Sequence, residues 1–391
     1  MKLKNAFSLL LLILIFLGSA CKFSANKKSE ANTEQRYNIV AYVAGYRNFD
    51  FSTIDASHLT HINYAFVNIR EGEVVFDTTK IDGKALTPND LVALNGLKEV
   101  NPDLQILASV GGWSWSGGFS DAAFSEESRL KFALSCVRLV QQYQLDGIDL
   151  DWEYPNQTGA GNIFRPEDVH NFTLILKAVR NELDKASLDE GKGKHYLLTI
   201  ATGADETYVK NTELGELQQY LDFINIMTYD FYNGLHKVTG HHSNYLPSAF
   251  PERDMNSMVN AVDLHLKAGV PASKLNLGIP LYGRKWEGVK SVDGKVLFQD
   301  AETVGMGIDY IDFADNINQN GFTRFWDETA KAPYLWNPES KIFISYEDEE
   351  SIQYKMEYLK SKGLGGVMFW EYCADRKNEL QQAISKGLKK Q

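Results

Sequence analysis

The sequence predicts an α/β protein, a (β/α)8 TIM barrel with a small α+β insertion domain between strand seven and helix seven. Three observations carry this. From residue 37 onward, short β-branched or aromatic runs alternate with helical periodicity, the pattern of a parallel sheet covered by helices. Eight such runs can be counted, the number that closes a barrel. One late connection is far longer than a single helix and two loops require.

The expected strands cover residues 39–46, 59–69, 105–113, 147–154, 196–203, 223–230, 275–282 and 366–372. After the third, Ser125 can cap a helix that opens with Glu126 and Glu127 and carries Leu130, Leu134, Val137 and Val140 on one face. After the fourth, Pro166 suits the first helical position, with Glu167 and Asp168 in the first turn and Val169, Phe172, Val179 and Leu183 along the buried stripe. Met255, Met258, Val262 and Leu266 continue the pattern to a stop at Gly269, as Ile352, Met356 and Leu359 do to Gly363. Setting residues 347–362 aside for a helix leaves 285–346 as an inserted module. Its runs 296–298 and 342–346 read as strands and 310–318 as a helix. Connections that follow strands leave a barrel at its C-terminal face, so the module belongs on that rim. The barrel then comprises residues 37–284 and 347–389.

Composition narrows the function. Of 391 residues 44% are hydrophobic and 23% charged, the balance of a folded globular protein. A formal charge of -11 without a basic block argues against nucleic acid as a partner. Aromatic residues at 12% suit a cleft that stacks on flat ligands. Residues 1–20 have the layout of an export signal: Lys2 and Lys4, an apolar run from Ala6 to Leu17, then Gly18, Ser19 and Ala20. Cys21 follows at once, as at the lipidation site of bacterial lipoproteins, with Gly18 where that pattern prefers Leu. Cleavage after Ala20 without lipidation fits as well. Residues 21–36 read as a polar tether, so the expected place is outside the cell, either on a bacterial surface through Cys21 or secreted. Cys136 and Cys373 are expected as free thiols, and neither their spacing nor any other suggests a metal or cofactor.

The segment Asp146-Gly147-Ile148-Asp149-Leu150-Asp151-Trp152-Glu153-Tyr154-Pro155 carries the chemistry. Strand alternation puts Asp149, Asp151 and Glu153 on one face and Ile148, Leu150 and Trp152 on the other. The apolar face can pack under helices, so the carboxylates point into the barrel, where burial of an uncompensated charge costs several kcal/mol. An ion-pair cluster would need inward cations, and Arg284 is the clear candidate; a calcium loop would need a Gly turn and no alternation. The functional reading is an acid poised by its neighbours. Asp149 and Asp151 would share a proton, and together they would help keep Glu153 protonated at the mouth as a general acid.

Asp146, Asp149, Asp151 and Glu153 match the DxxDxDxE signature, and the chain here resembles the family 18 glycoside hydrolases, chitinases and endo-β-N-acetylglucosaminidases. Ser109-Val-Gly111-Gly112-Trp113, Met227-Thr-Tyr229-Asp230, Tyr282-Gly-Arg284 and Phe369-Trp370-Glu371 resemble that family's motifs at further strand ends, in order. The resemblance implies chitin or chitooligosaccharides as partners of a monomeric enzyme. It also implies a substrate-assisted mechanism: Glu153 as acid and base, Asp151 orienting the acetamido group, Asp149 taking up a proton and Tyr229 donating a hydroxyl. Trp370 would stack under the sugar at the cleaved bond, and Tyr42 and Phe66 would shape the same pocket. Trp113 is expected as a wall on the leaving-group side, and Trp115 and Trp286 as either wall or packing. Tyr154, Met227, Asp230, Tyr282 and Arg284 complete the expected substrate contacts, with Asp230 and Arg284 also able to pair with one another.

Overall fold

The computed structural model describes residues 37–76, 86–191, 193–248 and 256–389. The expected leader 1–20, Cys21, the tether and Met255 lie outside them. Eight parallel strands form a closed barrel: β1 (Asn38–Ala44), β2 (His61–Arg70), followed by a short antiparallel edge β3 (Glu73–Val75), then β4 (Gln105–Gly111), β5 (Gly147–Asp151), β6 (Leu197–Thr202), β7 (Phe223–Ile226) and β8 (Leu275–Pro280). Next come β9 (Tyr282–Trp286), β10 (Met306–Asp309), β11 (Thr323–Asp327), β12 (Ala332–Asn337) and β13 (Ile342–Ser345), which build a separate antiparallel sheet in the order β10-β9-β13-β12-β11. Finally β14 (Gly366–Trp370) pairs with β8 and β1, and β1 with β2, which closes the ring.

Why β5 lies where it does follows from its two faces. Ile148 and Leu150 are fully buried outward, and beyond the strand the Trp152 ring stacks on Phe119 at 5.2 Å and meets Phe172 edge-on at 5.3 Å. Phe119 and Phe172 come from the helices that flank the strand, Phe119–Phe124 and Asp168–Glu190. Burying such rings contributes several kcal/mol and turns the opposite face inward.

Several expectations change in detail. The helix Glu126–Gln142 starts at its Ser125 cap, but its buried face is Phe132, Ala133, Cys136, Leu139 and Val140, while Leu130 and Leu134 are largely exposed. Both stripes have helical spacing, and the ring of Phe132 decides between them. Pro166 and Glu167 form a turn that precedes the helix Asp168–Glu190. The boundary expected at residue 285 falls inside β9, since Tyr282 and Arg284 belong to the second sheet. No strand forms at 296–298 because Phe298 has a φ of 58°, outside the extended region. Helical turns end by Asn316, and Asn318 at φ 58° reverses the chain.

The second sheet is tied to the barrel helix Glu349–Lys362 through a buried ion pair. Lys355 Nζ lies 2.5 Å from both Glu347 Oε1 and the carbonyl of Ser243, and Glu347 also accepts from the hydroxyls of Ser243 and Ser351. Lys355 and Glu347 are 0% and 1% exposed as side chains. Removing one partner strands the other charge in a dry site, so Lys355→Met is expected to cost about 3–5 kcal/mol. A lowered urea midpoint with an unchanged slope would register this, whereas an unshifted midpoint would mean that Glu347 finds water or a proton at little cost.

Candidate active site

The site is set by strand register. Asp149 stands level with Ser109 on β4 and Thr199 on β6. Its Oδ2 accepts hydroxyl hydrogen bonds from Ser109 and from Tyr42 on β1, both at 2.7 Å, and Oδ1 accepts from Thr199 at 2.5 Å. Burial raises the Asp149 carboxyl, and these bonds oppose the rise. Asp151, one step higher, is 4% exposed, and its Oδ1 is buried without a hydrogen-bond partner. Burial, then the charges of Glu153 and Asp149, hold the Asp151 carboxyl well above the usual range. Among the described residues no hydrogen bond joins Asp149 to Asp151. Where the sequence suggests one proton shared between them, three hydroxyls occupy Asp149 and the unpartnered Asp151 is the carboxyl that favours the proton. Asp146, the first residue of the motif, sits before β5, where its carboxylate accepts from Lys98 Nζ at 2.5 Å and the Ile106 amide at 2.8 Å.

Glu153 follows the strand end, its amide donating to Ser116 Oγ at 2.9 Å. Burial pushes its carboxyl up to about 7; a hydrogen bond from Tyr154 opposes the shift, and the charge of Asp230 adds to it. Asp230 behaves oppositely. Burial raises it, but His242 and Arg284 outweigh burial and hold it at about 2. Arg284 grips both its oxygens, with Nε 2.7 Å from Oδ1 and Nη2 on Oδ2. Between the two readings of this pair, structural pairing is present in the structure.

A cleft of about 1140 Å³ opens above these groups, and every residue expected around the substrate lines it: Tyr42, Phe66, Trp113, Tyr154, Met227, Tyr229, Asp230, Tyr282, Arg284 and Trp370. Trp370 stacks on Phe66 at 5.4 Å, and Tyr42 reaches Trp370 at 5.8 Å while its hydroxyl serves Asp149. The Tyr229 hydroxyl has a weak contact, 3.9 Å, with Met368 Sδ. Trp113 is 49% exposed at the rim and meets Tyr154 edge-on. Trp115 lines the cleft, whereas Trp286 is buried and donates to the His236 carbonyl at 2.9 Å, so it is packing. Gly112 has φ +77°, and a Cβ there would stand 2.5 Å from Phe66 Cε2; close backbone packing accounts for this glycine. Sequence reasoning missed Arg47 and Asp309 and gave Glu371 no role beyond its place in a motif; all three also line the cleft. Arg47 follows β1 without a recognisable motif, and its two partners lie more than 250 residues away.

A carboxyl with a pKa near 7 makes a sign prediction. Glu153 is raised above its unfolded value of about 4.3, so the stability it lends the protein is present below that value and is lost as pH rises through about 7. Glu153→Gln has no proton to lose, so it should gain stability relative to the parent between pH 4 and 8. Parallel unfolding curves for the two proteins across that interval would show that Glu153 ionises normally.

The chain belongs to Glycosyl hydrolases family 18, whose sequence profile matches residues 38–375. It is 40% identical to Chitinase A1 of Niallia circulans, an alignment that takes in 93% of this chain and 60% of that one. It is 31% identical to Chitinase B of Serratia marcescens, over 83% and 74% of the two chains. Among solved structures, a family 18 N-acetylglucosaminidase from Paenibacillus barengoltzii superposes with a TM-score of 0.81 at 43% identity, covering 90% of this chain and all of that one.

Proposed function

We propose that this family 18 chain is an exported chitinase that hydrolyses β-1,4 linkages between N-acetylglucosamine units with retention of configuration. The observation that carries the reading is a buried carboxyl at the cleft mouth, Glu153, held near pKa 7 above the unpartnered Asp151. A group with that pKa is partly protonated at neutral pH and can act as acid and then as base. The names of the relatives and the apolar leader of the sequence support the substrate and the export. A lipid on Cys21 would place the enzyme on a bacterial surface, and the chain would act as a monomer.

In this reaction Glu153 gives its proton to the glycosidic oxygen as the bond to the anomeric carbon breaks. The substrate's own acetamido oxygen bonds to that carbon, forming an oxazolinium ion, so no enzyme nucleophile is needed. Asp151 turns toward the acetamido N–H, passes its proton to Asp149 and offsets the positive charge. Tyr229 donates to the acetamido oxygen. Water then adds to the anomeric carbon from the face the leaving group left, giving its proton to Glu153 as the bond to the acetamido oxygen breaks, and the proton on Asp149 returns to Asp151. Trp370 carries the sugar ring through these steps, and Trp113 supports the departing chain. Release of N-glycans is disfavoured by the second sheet, which supplies Tyr282, Arg284, Gly307 and Asp309 to one side of the cleft and deepens it. A role in sugar binding alone is disfavoured by the presence of Glu153.

Glu153→Gln is therefore expected to bind chitooligosaccharides while losing about 10²–10⁴-fold in turnover, the usual share of general acid–base catalysis. Near parental turnover on unactivated oligomers would sink the assignment. Substrate assistance has its own test: cellohexaose, which lacks the acetamido group, should remain uncut, and a thiazoline analogue of the oxazolinium ion should inhibit. Mass spectrometry that trapped a glycosyl ester on Asp149, Asp151 or Glu153 would refute it.

A further inference from the structure

Arg47, Asp309 and Glu371 line the cleft but take no part in the chemistry above. They come from three segments: the loop after β1, the end of β10, and the residue after Trp370. Arg47 donates from Nε to Glu371 Oε1 at 2.9 Å and from Nη2 to Asp309 Oδ1 at 2.8 Å. One guanidinium thereby joins the barrel rim to the second sheet.

Each end of this bridge is anchored. Glu371 is 1% exposed, and its other oxygen accepts from the Cys373 amide at 3.0 Å. Asp309 stands opposite Tyr282 in the β9–β10 ladder. The loop that carries Arg47 is packed as well: a Cβ on Gly45 would fall 2.3 Å from the Tyr64 hydroxyl, and Phe49 meets the Tyr372 ring at 6.0 Å. Burial works against the Arg47 charge, but the charges of Glu371 and Asp309 outweigh it, so the guanidinium stays charged.

Barrel order fixes where the bridge lies along a bound chain. Running β1-β2-β4-β5-β6-β7-β8-β14, the strands β5 and β14 are diametrically opposed. Arg47 and Glu371 are therefore across the cleft from Glu153, with Trp370 between. On the glycosidase reading, on which this step rests, the sugar over Trp370 is the one attacked and the leaving chain departs past Trp113. The next sugar on the non-reducing side must then run onto Arg47.

We propose that the Arg47 bridge closes the cleft at this end and makes Arg47 a specificity-determining residue. Arg47 and Asp309, partly exposed in the cleft, offer a donor and an acceptor to the hydroxyls of a terminal sugar, Glu371 holds the guanidinium from the buried side, and the ion pair spans the path that a longer chain would take. The substrate is then the non-reducing end of a β-linked N-acetylglucosamine chain, from which one or two sugars are released at each event, and internal cleavage is suppressed.

The test is a product time course on the N-acetylglucosamine hexamer labelled at its reducing end, with Arg47→Ala and Asp309→Asn beside the parent. The parent should give unlabelled mono- or disaccharide and long labelled remainders from the first time points. Both variants should raise the share of short labelled products, which report internal cuts, several-fold. Thermal melts keep the comparison sound, and Asp309→Asn, which leaves the Glu371 pair intact, carries the test should Arg47→Ala fail to fold. Parent product patterns with random internal cuts, or folded variants that keep the parent pattern, would overturn the proposal while leaving the hydrolase reading in place. No cleavage of the hexamer by the parent would remove both.

Discussion

Two carboxylates on the inward face of β5 and a third just past its end must be accommodated at one side of a closed barrel, and much of the interior is arranged around that demand. Parallel barrels ordinarily fill their lumen with branched apolar side chains. Here Asp149, fully buried, takes hydroxyls from β1, β4 and β6. Asn276 donates to Asn225 at 3.0 Å between β8 and β7, so polar groups continue around the lumen. Because the donors of Asp149 come from three strands, its solvation depends on barrel closure. A carboxylate isolated in so dry a place would protonate or unfold its surroundings.

From that base a gradient of compensation runs outward. Asp149 has three donors, Asp151 has an orphaned oxygen, and Glu153 has the Tyr154 hydroxyl alone among the groups that oppose its shift. Asp230 lines the same cleft and yet stays near 2, because His242 and the Arg284 guanidinium, which holds both its oxygens, outweigh burial. Which carboxyl carries a proton is therefore decided by burial and charged partners together. The ionised Asp230 in turn contributes to raising Glu153. Two acids with opposite protonation stand within one cleft, the condition for assigning one of them to proton donation.

What was legible in the sequence follows from period and type. The alternation of β5 displays its inward carboxylates in any reading, and the eight strands are countable because each is short, apolar and bounded. Element ends were less legible. Glu153, Tyr229 and Asp230 read as strand residues, yet they follow β5 and β7, since the last rung of a ladder depends on the neighbour's length. The buried side of Glu126–Gln142 was read correctly at Val137 and Val140 but not at Leu130 and Leu134, which keep helical spacing and yet stay exposed. The second sheet was legible as an insertion but not as five strands: β11 (TRFWD) and β12 (APYLWN) are short and show no regular alternation of apolar and polar residues. Arg47 could not be found at all, because an ion pair across the rim has no sequence period.

The second sheet is not a lid on a hinge, and this bears on the cleft. β8 ends at Pro280 and β9 begins at Tyr282, with Leu281 alone between them. Leu281 is fully buried; its amide donates to the Trp370 carbonyl at 2.7 Å and its own carbonyl accepts from the Tyr310 amide at 3.3 Å. The junction is thus bonded on one side to the strand that carries Trp370 and on the other to the insertion. Lys355 with Glu347 fixes the return crossing, and Arg47 fixes the far rim. With three anchors on three segments, the wall moves only if a buried charge pair or a junction bond breaks. Cleft width is therefore a property of the barrel's own register, and a chain that binds must fit the groove as it stands.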